Sequence, residues 1–279
     1  MAIAAGAAIA TALGGCSLLV STNGLTTVGD AAPTDTTDAR GAPDSSAGDA
    51  PTAEAAADAG DAADANTGPF CASLNPKPKF CADFDKGSVS DYGSLFGTPT
   101  LDLSISKSAP ASLLSIVETS AMVRGSSVET TFPDAPTSIA ISVDIFVDEY
   151  DIAHDVELVT ANFASTGNVF CDVNIAVRMN AWTIGEYCET NGTANGVGAN
   201  HRTSATLQLA KWTHVDATVD LSPGGAMHMA VDGTAAFDGT GEPGFVTGKT
   251  GIVMGIPYLQ PMATSRSKVH TDNLTYDYH

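Results

Sequence analysis

Residues 139–147 have the sequence IAISVDIFV, in which every second position holds isoleucine or valine. Ser142 and Asp144 lie between these aliphatic residues, so the two sets of side chains would point to opposite faces of an extended strand. The same period of two recurs over residues 170–177 and 215–221. This alternation is typical of strands with one buried and one wetter face, as in antiparallel sandwiches.

Turn-forming residues separate the alternating segments. Residues 222–225 have the sequence SPGG, and Asp232-Gly233 suits a type I′ hairpin turn because both of its central residues need positive φ. Apolar residues at helical spacing are scarce, and at most one short helical turn is expected, near residues 84–92. The sequence therefore predicts an all-β domain in which one antiparallel sheet packs on another.

The composition divides the 279 residues into two parts. Residues 30–68 contain no Val, Ile, Leu, Met, Phe, Trp, Tyr or Cys, so this segment has nothing to bury against the entropy of ordering it. We therefore predict a disordered acidic linker, rich in Ala and Asp, over residues 17–69 and a single domain over residues 70–279. The two parts carry net charges of −8 and −12 within the total of −20, so neither offers the clustered Lys and Arg that nucleic acid requires. We expect no nucleic-acid partner.

The first 16 residues resemble a bacterial signal peptide with a lipobox. Small and apolar residues lead to the sequence LGGC at residues 13–16, which is similar to the site where signal peptidase cuts before a cysteine that becomes lipidated. The run is shorter than the roughly 20 apolar residues that span a bilayer. An Ala-rich signal segment that happens to contain a cysteine is the alternative, and no Lys or Arg precedes Cys16, although signal peptides usually begin with one. The resemblance implies an exported lipoprotein of the outer membrane or cell surface that contacts the membrane through its lipid anchor only.

The cysteine count agrees with export. Five cysteines are present, and lipidation of Cys16 would leave four. Cys71 and Cys81 enclose a short segment with two prolines, and Cys171 and Cys188 lie on consecutive predicted strands. We predict the local disulfides Cys71–Cys81 and Cys171–Cys188 in an oxidising compartment, each contributing about 3 kcal/mol by closing its loop. Zinc is the other use for four cysteines, but no C-x2-C spacing occurs.

Several short motifs follow one another along the domain: FCADFD at 80–85, WTHV at 212–215, AVDG at 230–233, GI at 251–252 and DNL at 272–274. In this order they resemble the concanavalin A-like lectin/glucanase superfamily, in its laminin-G-like branch. The resemblance implies a two-sheet antiparallel jelly roll and, by analogy alone, a glycan or surface polymer as partner. We expect a non-catalytic, carbohydrate-binding surface protein, with a structural or adhesive envelope protein as one alternative.

An enzyme is the other alternative. The laminarinase-type glycoside hydrolases of the superfamily carry Glu-x-Asp-x-x-Glu on a central strand, where retaining hydrolysis needs two carboxyl groups about 5 Å apart. Here Glu149 and Asp151 match the first two positions, His154 occupies the third, and Glu157 lies nearby but off the spacing. Residues 148–155 separate two predicted strands and are typical of an acidic loop. If the protein is a glycoside hydrolase or polysaccharide lyase, Glu149, Asp151 and Glu157 are its expected catalytic residues.

The resemblance also implies a place for a ligand. Aromatic rings with a polar tip suit wet, half-apolar ligands such as sugars. Three aromatic residues are expected to stack on a ligand if they reach a rim of the sandwich: Trp182, Tyr187 and Tyr258.

A metal site is implied in the same way. In a jelly roll the first and last strands are neighbours, so Asp83 or Asp85 would meet Asp272 across the sheet edge. Carboxylate oxygens suit Ca²⁺, and exposed polar residues flanking core strands are the alternative. We expect either no cofactor or one structural calcium ion.

Overall fold

Fifteen strands in two antiparallel sheets form the described part of the chain in the computed structural model. The model describes residues 69–119, 125–164, 169–190, 193–241, 248–259 and 265–279, with the backbone alone for residues 193–197. The strands are β1 (Phe80–Ala82), β2 (Ser94–Phe96), β3 (Thr100–Asp102), β4 (Ser112–Val117), β5 (Ser126–Phe132), β6 (Ser138–Glu149), β7 (Val156–Ala164), β8 (Val169–Arg178), β9 (Ala181–Thr190), β10 (Thr193–Thr206), β11 (Trp212–Asp220), β12 (Ala226–Val231), β13 (Thr234–Thr240), β14 (Lys249–Ile256) and β15 (Ser267–Tyr278). Two short helices accompany them, α1 (Phe70–Ser73) and a 3₁₀ helix (Val89–Tyr92). The prediction of an all-β jelly-roll sandwich is confirmed.

The two sheets each draw strands from distant parts of the chain. Sheet A has the order β13-β12-β11-β6-β15-β4-β3, with β1 paired to β15, and sheet B has the order β10-β9-β8-β7-β14-β5-β2. From β4 to β7, and again from β13 to β15, the chain passes from one sheet to the other at each step. Both sheets therefore close around one core, and the first and last strands are neighbours, as expected of a jelly roll.

The core lies between the sheets. The alternating residues of β6 are at most 3% exposed from Ile139 to Val147, and Val143 and Ile145 are fully buried. They belong to the same hydrophobic cluster as residues of sheet B such as Ile175. Burying a side chain of this kind stabilises the fold by about 1.5–3 kcal/mol relative to leaving it exposed, so the period of two fixes which face of each strand turns inward.

The predicted turns occur where the sequence places them. Asp232 and Gly233 both have positive φ, at 49° and 72°, and join β12 to β13 as a two-residue hairpin. In the turn between β11 and β12, the Gly225 N–H donates to the Ser222 carbonyl over 2.8 Å. The acidic segment after Glu149 is a loop between β6 and β7.

Two disulfides connect the predicted pairs. Cys71 and Cys81 are bonded, and Cys171 is bonded to Cys188 directly opposite it on the paired strands β8 and β9. Disulfides persist in oxidising compartments, so both bonds indicate an extracellular or otherwise exported domain. No helix among the described residues is long and apolar enough to cross a membrane. Cys16 and the linker up to residue 68 lie outside the described residues.

Candidate functional site

Sheet B has one face in the core and one face that points away from sheet A, which we call the outer face. In β8, Val173 and Ile175 are fully buried in the core. Side chains alternate along a strand, so Asp172 and Asn174 lie on the outer face. Residues directly opposite each other on paired strands share a face, and the register therefore extends this assignment across the sheet.

One row of outer-face residues crosses all seven strands. In order from β2 to β10 this central row consists of Ser94, Glu129, Val253, Thr160, Asn174, Gly185 and Asn200. Neighbouring strands lie about 4.8 Å apart, so the row is about 29 Å long. A row of that length can contact several units of an extended polymer at once.

The rows on either side are also largely polar. The first flanking row, from β5 to β10, consists of Thr131, Gly251, Asn162, Asp172, Tyr187 and Gly198. The second consists of Phe96, Ser127 and Gly255 from β2, β5 and β14, followed by Glu157, Ala176, Thr183 and Arg202 from β7 to β10. The pairing of β7 with β8 shifts between Glu157 and Val159, and this bulge separates the two parts of the second row.

Carboxylates hold the amide nitrogens of two asparagines on this face. Asn162 Nδ2 donates to Glu129 Oε1 over 2.9 Å, and Asn174 Nδ2 donates to Asp172 Oδ1 over 3.3 Å. An amide has two N–H donors and one carbonyl acceptor. With one N–H turned towards a carboxylate, the carbonyl oxygen and the second N–H of each amide remain for other partners.

Glycines on neighbouring strands make room for these oxygens. A Cβ on Gly185 would lie 2.5 Å from Oδ1 of Asn174 and 2.5 Å from Oδ1 of Asn200. The same is true of Gly251, whose Cβ would collide with Oδ1 of Asn162. Glycine within a strand often marks a place where another group approaches the backbone closely. Here it allows the asparagine side chains to lie across the adjacent strand.

One polar atom at the centre of the row lacks a hydrogen-bond partner among the described residues. Asn174 and Thr160 lie opposite each other on β8 and β7, and each is only 6% exposed. The Thr160 hydroxyl donates to the Glu157 carboxyl group, whereas Asn174 Oδ1 has no protein partner in that part of the chain. Leaving such an atom unpaired costs about 1–3 kcal/mol, so Asn174 Oδ1 is suited to bind a group supplied from outside.

Two carboxyl groups of the outer face hold their protons more tightly than usual. Burial raises the pKa of Glu157, and the negative charges of Asp172 and Asp155 raise it further. Burial also raises the pKa of Asp172, against the hydrogen bond from Asn174. Perturbed carboxyl groups of this kind are frequent at functional sites.

Two open depressions lie on the face. One has a volume of about 240 Å³ and is lined by Thr183, Asn200 and Arg202, with Arg178 at the end of β8 and Met179 in the turn after it. The other has a volume of about 400 Å³, and its lining adds an apolar group to the polar rows: Leu95, Phe96, Phe170, Val253 and Pro257. Because Glu129 and Asn162 also line it, the second depression reaches from the edge strand β2 to the central rows.

The expected catalytic residues are divided between the two sheets. Glu149 is the last residue of β6 in sheet A, where Arg266 Nε donates to Glu149 Oε2 over 3.0 Å and this bond lowers the pKa of Glu149. Asp151 lies in the following loop, paired with His154 at 3.1 Å. Because β6 ends at Glu149, strand alternation does not extend to Asp151. Glu157 alone of the three lies on the outer face of sheet B.

The three expected aromatic contacts also have different environments. Trp182 lies on the core side of β9, opposite Val177, and is 1% exposed, so its ring cannot stack on a ligand. Tyr187 lies on the outer face beside Asp172, in the first flanking row. Tyr258 is half-buried next to the start of β7, where its carbonyl accepts the Glu157 N–H over 3.0 Å. Even-numbered residues of β9 face the core and odd-numbered residues face outward, so only Tyr187 of these two can reach a ligand.

The expected calcium ligands lie near one another where β1 pairs with β15. Asp272 is fully buried and accepts backbone N–H groups of Lys107 and Ser108 at 2.8 and 2.9 Å; burial raises its pKa to about 7. Asp83 accepts the Cys71 N–H over 3.1 Å.

Asp85 differs from the other two. Its buried carboxylate accepts a backbone hydrogen bond from Ala111 and has no side-chain donor among the described residues, and its pKa is raised by burial and by the charge of Asp83. Across the described ranges, no three His, Cys, Asp or Glu side chains come close enough to hold a metal ion. Asp85 therefore suits a cation better than its two neighbours do, and a calcium ion remains a proposal.

A serine, a histidine and two aspartates meet on the outward side of sheet A. His214 Nδ1 lies 3.0 Å from Asp144 Oδ1, and Nε2 lies 3.2 Å from Ser142 Oγ and 3.3 Å from Asp216 Oδ1. The hydrogen bond to Asp144, followed by that to Asp216, raises the pKa of His214 to about 10. A histidine that is already protonated at neutral pH cannot take the proton of a serine. This group is therefore an ion cluster and not a nucleophile with its base.

The outer-face asparagines are absent from the residues that sequence analysis singled out. Asn174 occupies the polar side of an alternating strand, which is the one indication that the sequence offers for it. The meeting of Asn174 with Asn200 over Gly185 depends on the register of three strands, and a single sequence does not specify that register.

Comparison with known proteins bears on the fold. No protein-family model and no curated protein matches the chain. The crystal structure of endo-β-1,4-glucuronan lyase from the fungus Trichoderma reesei is similar, with a TM-score of 0.58 and 9% identity, over 73% of this chain and 96% of that one. The cellulose induced protein Cip1 is also similar, with a TM-score of 0.51 and 13% identity, over 71% of this chain and 96% of that one. These likenesses show the fold, a jelly roll of two antiparallel sheets.

Proposed function

We propose that the outer face of sheet B binds a glycan as an extended chain, without catalysis. The observation that carries the proposal is the central row, which places the buried, unpaired Asn174 Oδ1 in the middle of a largely polar row across the sheet. A glycan supplies many hydroxyl groups along one direction. Those hydroxyls can satisfy the unpaired oxygen, while the ring of Tyr187 offers a face for stacking.

The fold agrees with this proposal but does not select the partner. The solved structures with a similar fold include a glucuronan lyase, and one fold serves many activities. The chemistry of the outer face therefore favours the glycan. Its amides, carboxyl groups and one tyrosine lie beside the apolar group at the β2 end, and this combination suits a hydrated ligand whose rings have apolar faces.

Loss of the central amides tests the proposal. The double variant Asn174→Ala/Asn200→Ala removes two neutral hydrogen bonds, each contributing about 1 kcal/mol, so we expect about 30-fold weaker binding. Thr218→Ala, an exposed substitution on β11 of sheet A, is the matched control and should bind like the wild type. The full chain would first be screened on immobilised polysaccharides and then titrated calorimetrically with the best ligand. If the double variant binds as tightly as the control, the glycan does not lie on this face.

Acid–base hydrolysis of the bound glycan is a second candidate, favoured by the raised pKa values of Glu157 and Asp172. Their Cα atoms lie two rows apart, which is about 14 Å along the strands. Inverting hydrolysis needs carboxyl groups about 6.5–9.5 Å apart and retaining hydrolysis about 5 Å. Both side chains would have to lean towards each other to reach those separations, and for this reason binding ranks above hydrolysis.

The two candidates differ in one measurement. If the face hydrolyses its ligand, the wild-type chain releases new reducing ends from a polysaccharide that it binds. Glu157→Gln and Asp172→Asn should then each abolish release while binding persists. Release that persists in both variants would exclude this pair as the acid and the base, and absence of release from every bound polysaccharide would leave binding alone.

We further propose that the protein is anchored to an outer membrane or cell surface through a lipid on Cys16. The proposal is supported by the resemblance of residues 13–16 to a lipobox and by the two disulfides, which agree with export. In a bacterial host fed a labelled fatty acid, the wild-type chain should take up the label and remain with the membrane fraction. Cys16→Ser should remove both properties, and label retained by the variant would place the lipid elsewhere.

A further inference from the structure

We infer that the outer face selects an uncharged glycan, whose hydroxyl groups donate to the row of amide oxygens, over a polyuronate of the same linkage. This inference rests on the proposed glycan binding and adds the chemical class of the ligand. It is carried by the kinds of atoms and charges that the seven strands of sheet B bring to the face.

Two amide oxygens meet at the centre of the face as acceptors. One N–H of Asn162 and one N–H of Asn174 already donate to carboxylates, and Asn174 Oδ1 is buried without a protein partner. Asn200 Oδ1 approaches the same point above Gly185 as Asn174 Oδ1 does. A carbonyl oxygen accepts hydrogen bonds and cannot donate one. The matching groups on a ligand are therefore hydroxyl donors, whereas a uronate carboxylate would place acceptor against acceptor.

The charges of the face also favour an uncharged glycan. Glu129, Asp172 and Glu157 lie in three adjacent rows at the middle of the sheet. A ligand carboxylate there would be desolvated beside other carboxyl groups, and burial of a charge is costly unless an opposite charge pairs with it. An uncharged hydroxyl incurs no such cost.

The basic residues of sheet B lie away from this centre. Within the strands as the structure delimits them, Lys and Arg occur at Lys249, Arg178 and Arg202. Lys249 begins β14, and Arg178 ends β8 with its Nε 3.1 Å from Asp155 Oδ1. Arg202 lies on the edge strand β10 and donates to the Met179 carbonyl over 3.3 Å. Arg202 shares the second flanking row with Glu157, and Arg178 ends β8, so neither lies in the central row or the first flanking row. A polyuronate chain along the central row would therefore lack cations where it crosses β7 and β8.

Matched oligosaccharides test the inference. Cello-oligosaccharides and β-1,4-oligoglucuronates share a linkage and differ in oxidation at C6, and manno-oligosaccharides and oligomannuronates form a second pair. Binding of the full chain would be measured by calorimetry at low ionic strength and about pH 8.5, where surface charges are least screened and most ionised. For each pair that binds, we expect the uronate to bind at least tenfold more weakly than its neutral partner.

A variant separates charge from shape. Glu157→Gln/Asp172→Asn keeps the volume of both side chains and removes both negative charges. The variant should therefore narrow the difference in affinity between the neutral and the uronate oligosaccharide of each pair. Equal or tighter binding of the uronate by the wild type would overturn the inference and leave the proposed glycan binding intact. A preference for the neutral oligosaccharide that the double variant leaves unchanged would also overturn it, because the charges of Glu157 and Asp172 would then not set the preference. If no neutral or acidic polysaccharide binds in either form, the proposed function fails and the inference fails with it.

Discussion

Replacing Gly185 with alanine should weaken glycan binding more than any other single methyl group added to the outer face. The new Cβ would lie 2.5 Å from Oδ1 of both Asn174 and Asn200, well inside van der Waals contact. Both oxygens are the ends of flexible side chains, so the amides would rotate away and the strand would keep its place. Two hydrogen bonds to the ligand are then lost, at about 1 kcal/mol each, which corresponds to about 30-fold weaker binding.

Gly198 provides the matched control for this variant. It lies on the same face of the neighbouring strand β10, where an added Cβ would meet Tyr187 Cδ2 at 3.4 Å, an ordinary contact. Gly198→Ala should therefore weaken binding much less than Gly185→Ala, because its methyl group displaces neither asparagine oxygen. Calorimetric titration with the best polysaccharide ligand gives the binding constants of both variants.

Thermal unfolding distinguishes loss of the site from loss of the fold. Gly185→Ala should retain a cooperative transition, because alanine suits an extended strand at least as well as glycine does. Wild-type affinity in a folded Gly185→Ala protein would refute the assignment of Asn174 and Asn200 to the ligand. Should the variant unfold instead, the double variant Asn174→Ala/Asn200→Ala gives the same answer without adding a methyl group.

Four further outcomes are expected. Tyr187→Ala should weaken glycan binding by roughly tenfold, since an aromatic contact contributes about 0.5–1.5 kcal/mol beyond the buried area. If titration gives the affinity of the wild type, the ring does not stack on the ligand. Cys171→Ala/Cys188→Ala should lower the free energy of unfolding in urea by about 3 kcal/mol, as loss of a 17-residue cross-link predicts, and an unchanged midpoint would contradict this. The pKa of Asp272 is raised to about 7 in the fold, so the folded chain binds this proton more tightly than the unfolded chain does, and the free energy of unfolding should fall by on the order of 4 kcal/mol from about pH 4 to about pH 8. Asp272→Asn should flatten this dependence in urea titrations, and equal slopes for variant and wild type would contradict the raised pKa. Calcium at about 100 times its dissociation constant should stabilise the wild type by about 2.7 kcal/mol and leave Asp85→Asn unaffected. An equal rise in Tm for both proteins would place the ion elsewhere, and no rise in either protein would show that the fold binds no calcium.

The sequence alone determines the local features of this protein. The period of two in residues 139–147 specifies a strand and its buried face, Asp232-Gly233 specifies the hairpin that follows β12, and the spacing of Cys171 and Cys188 indicates their bond. Each of these depends on interactions between residues near in the chain or on the preference of one residue for one backbone conformation. For that reason the sandwich, its turns and both disulfides can be predicted from the sequence.

The parity of strand β9 shows where local pattern ends. In its sequence, AWTIGEYCET, the apolar residues Trp182, Ile184 and Cys188 share the core side, but so does Glu186. Glu186 and Tyr187 therefore interrupt an alternation that otherwise assigns Trp182 to the core. The pairing of Cys188 with Cys171 in the core decides the parity of the whole strand.

The candidate site is a property of register between strands. Asn162, Asn174 and Asn200 come from three strands, and the glycines that accommodate them come from two others. A shift of one residue in any of these pairings would turn the asparagine or its glycine into the core. The alternating pattern specifies which residues face outward, but the packing of two sheets around one core fixes how far each strand slides along its neighbour. Only the tertiary structure therefore brings these side chains into one row.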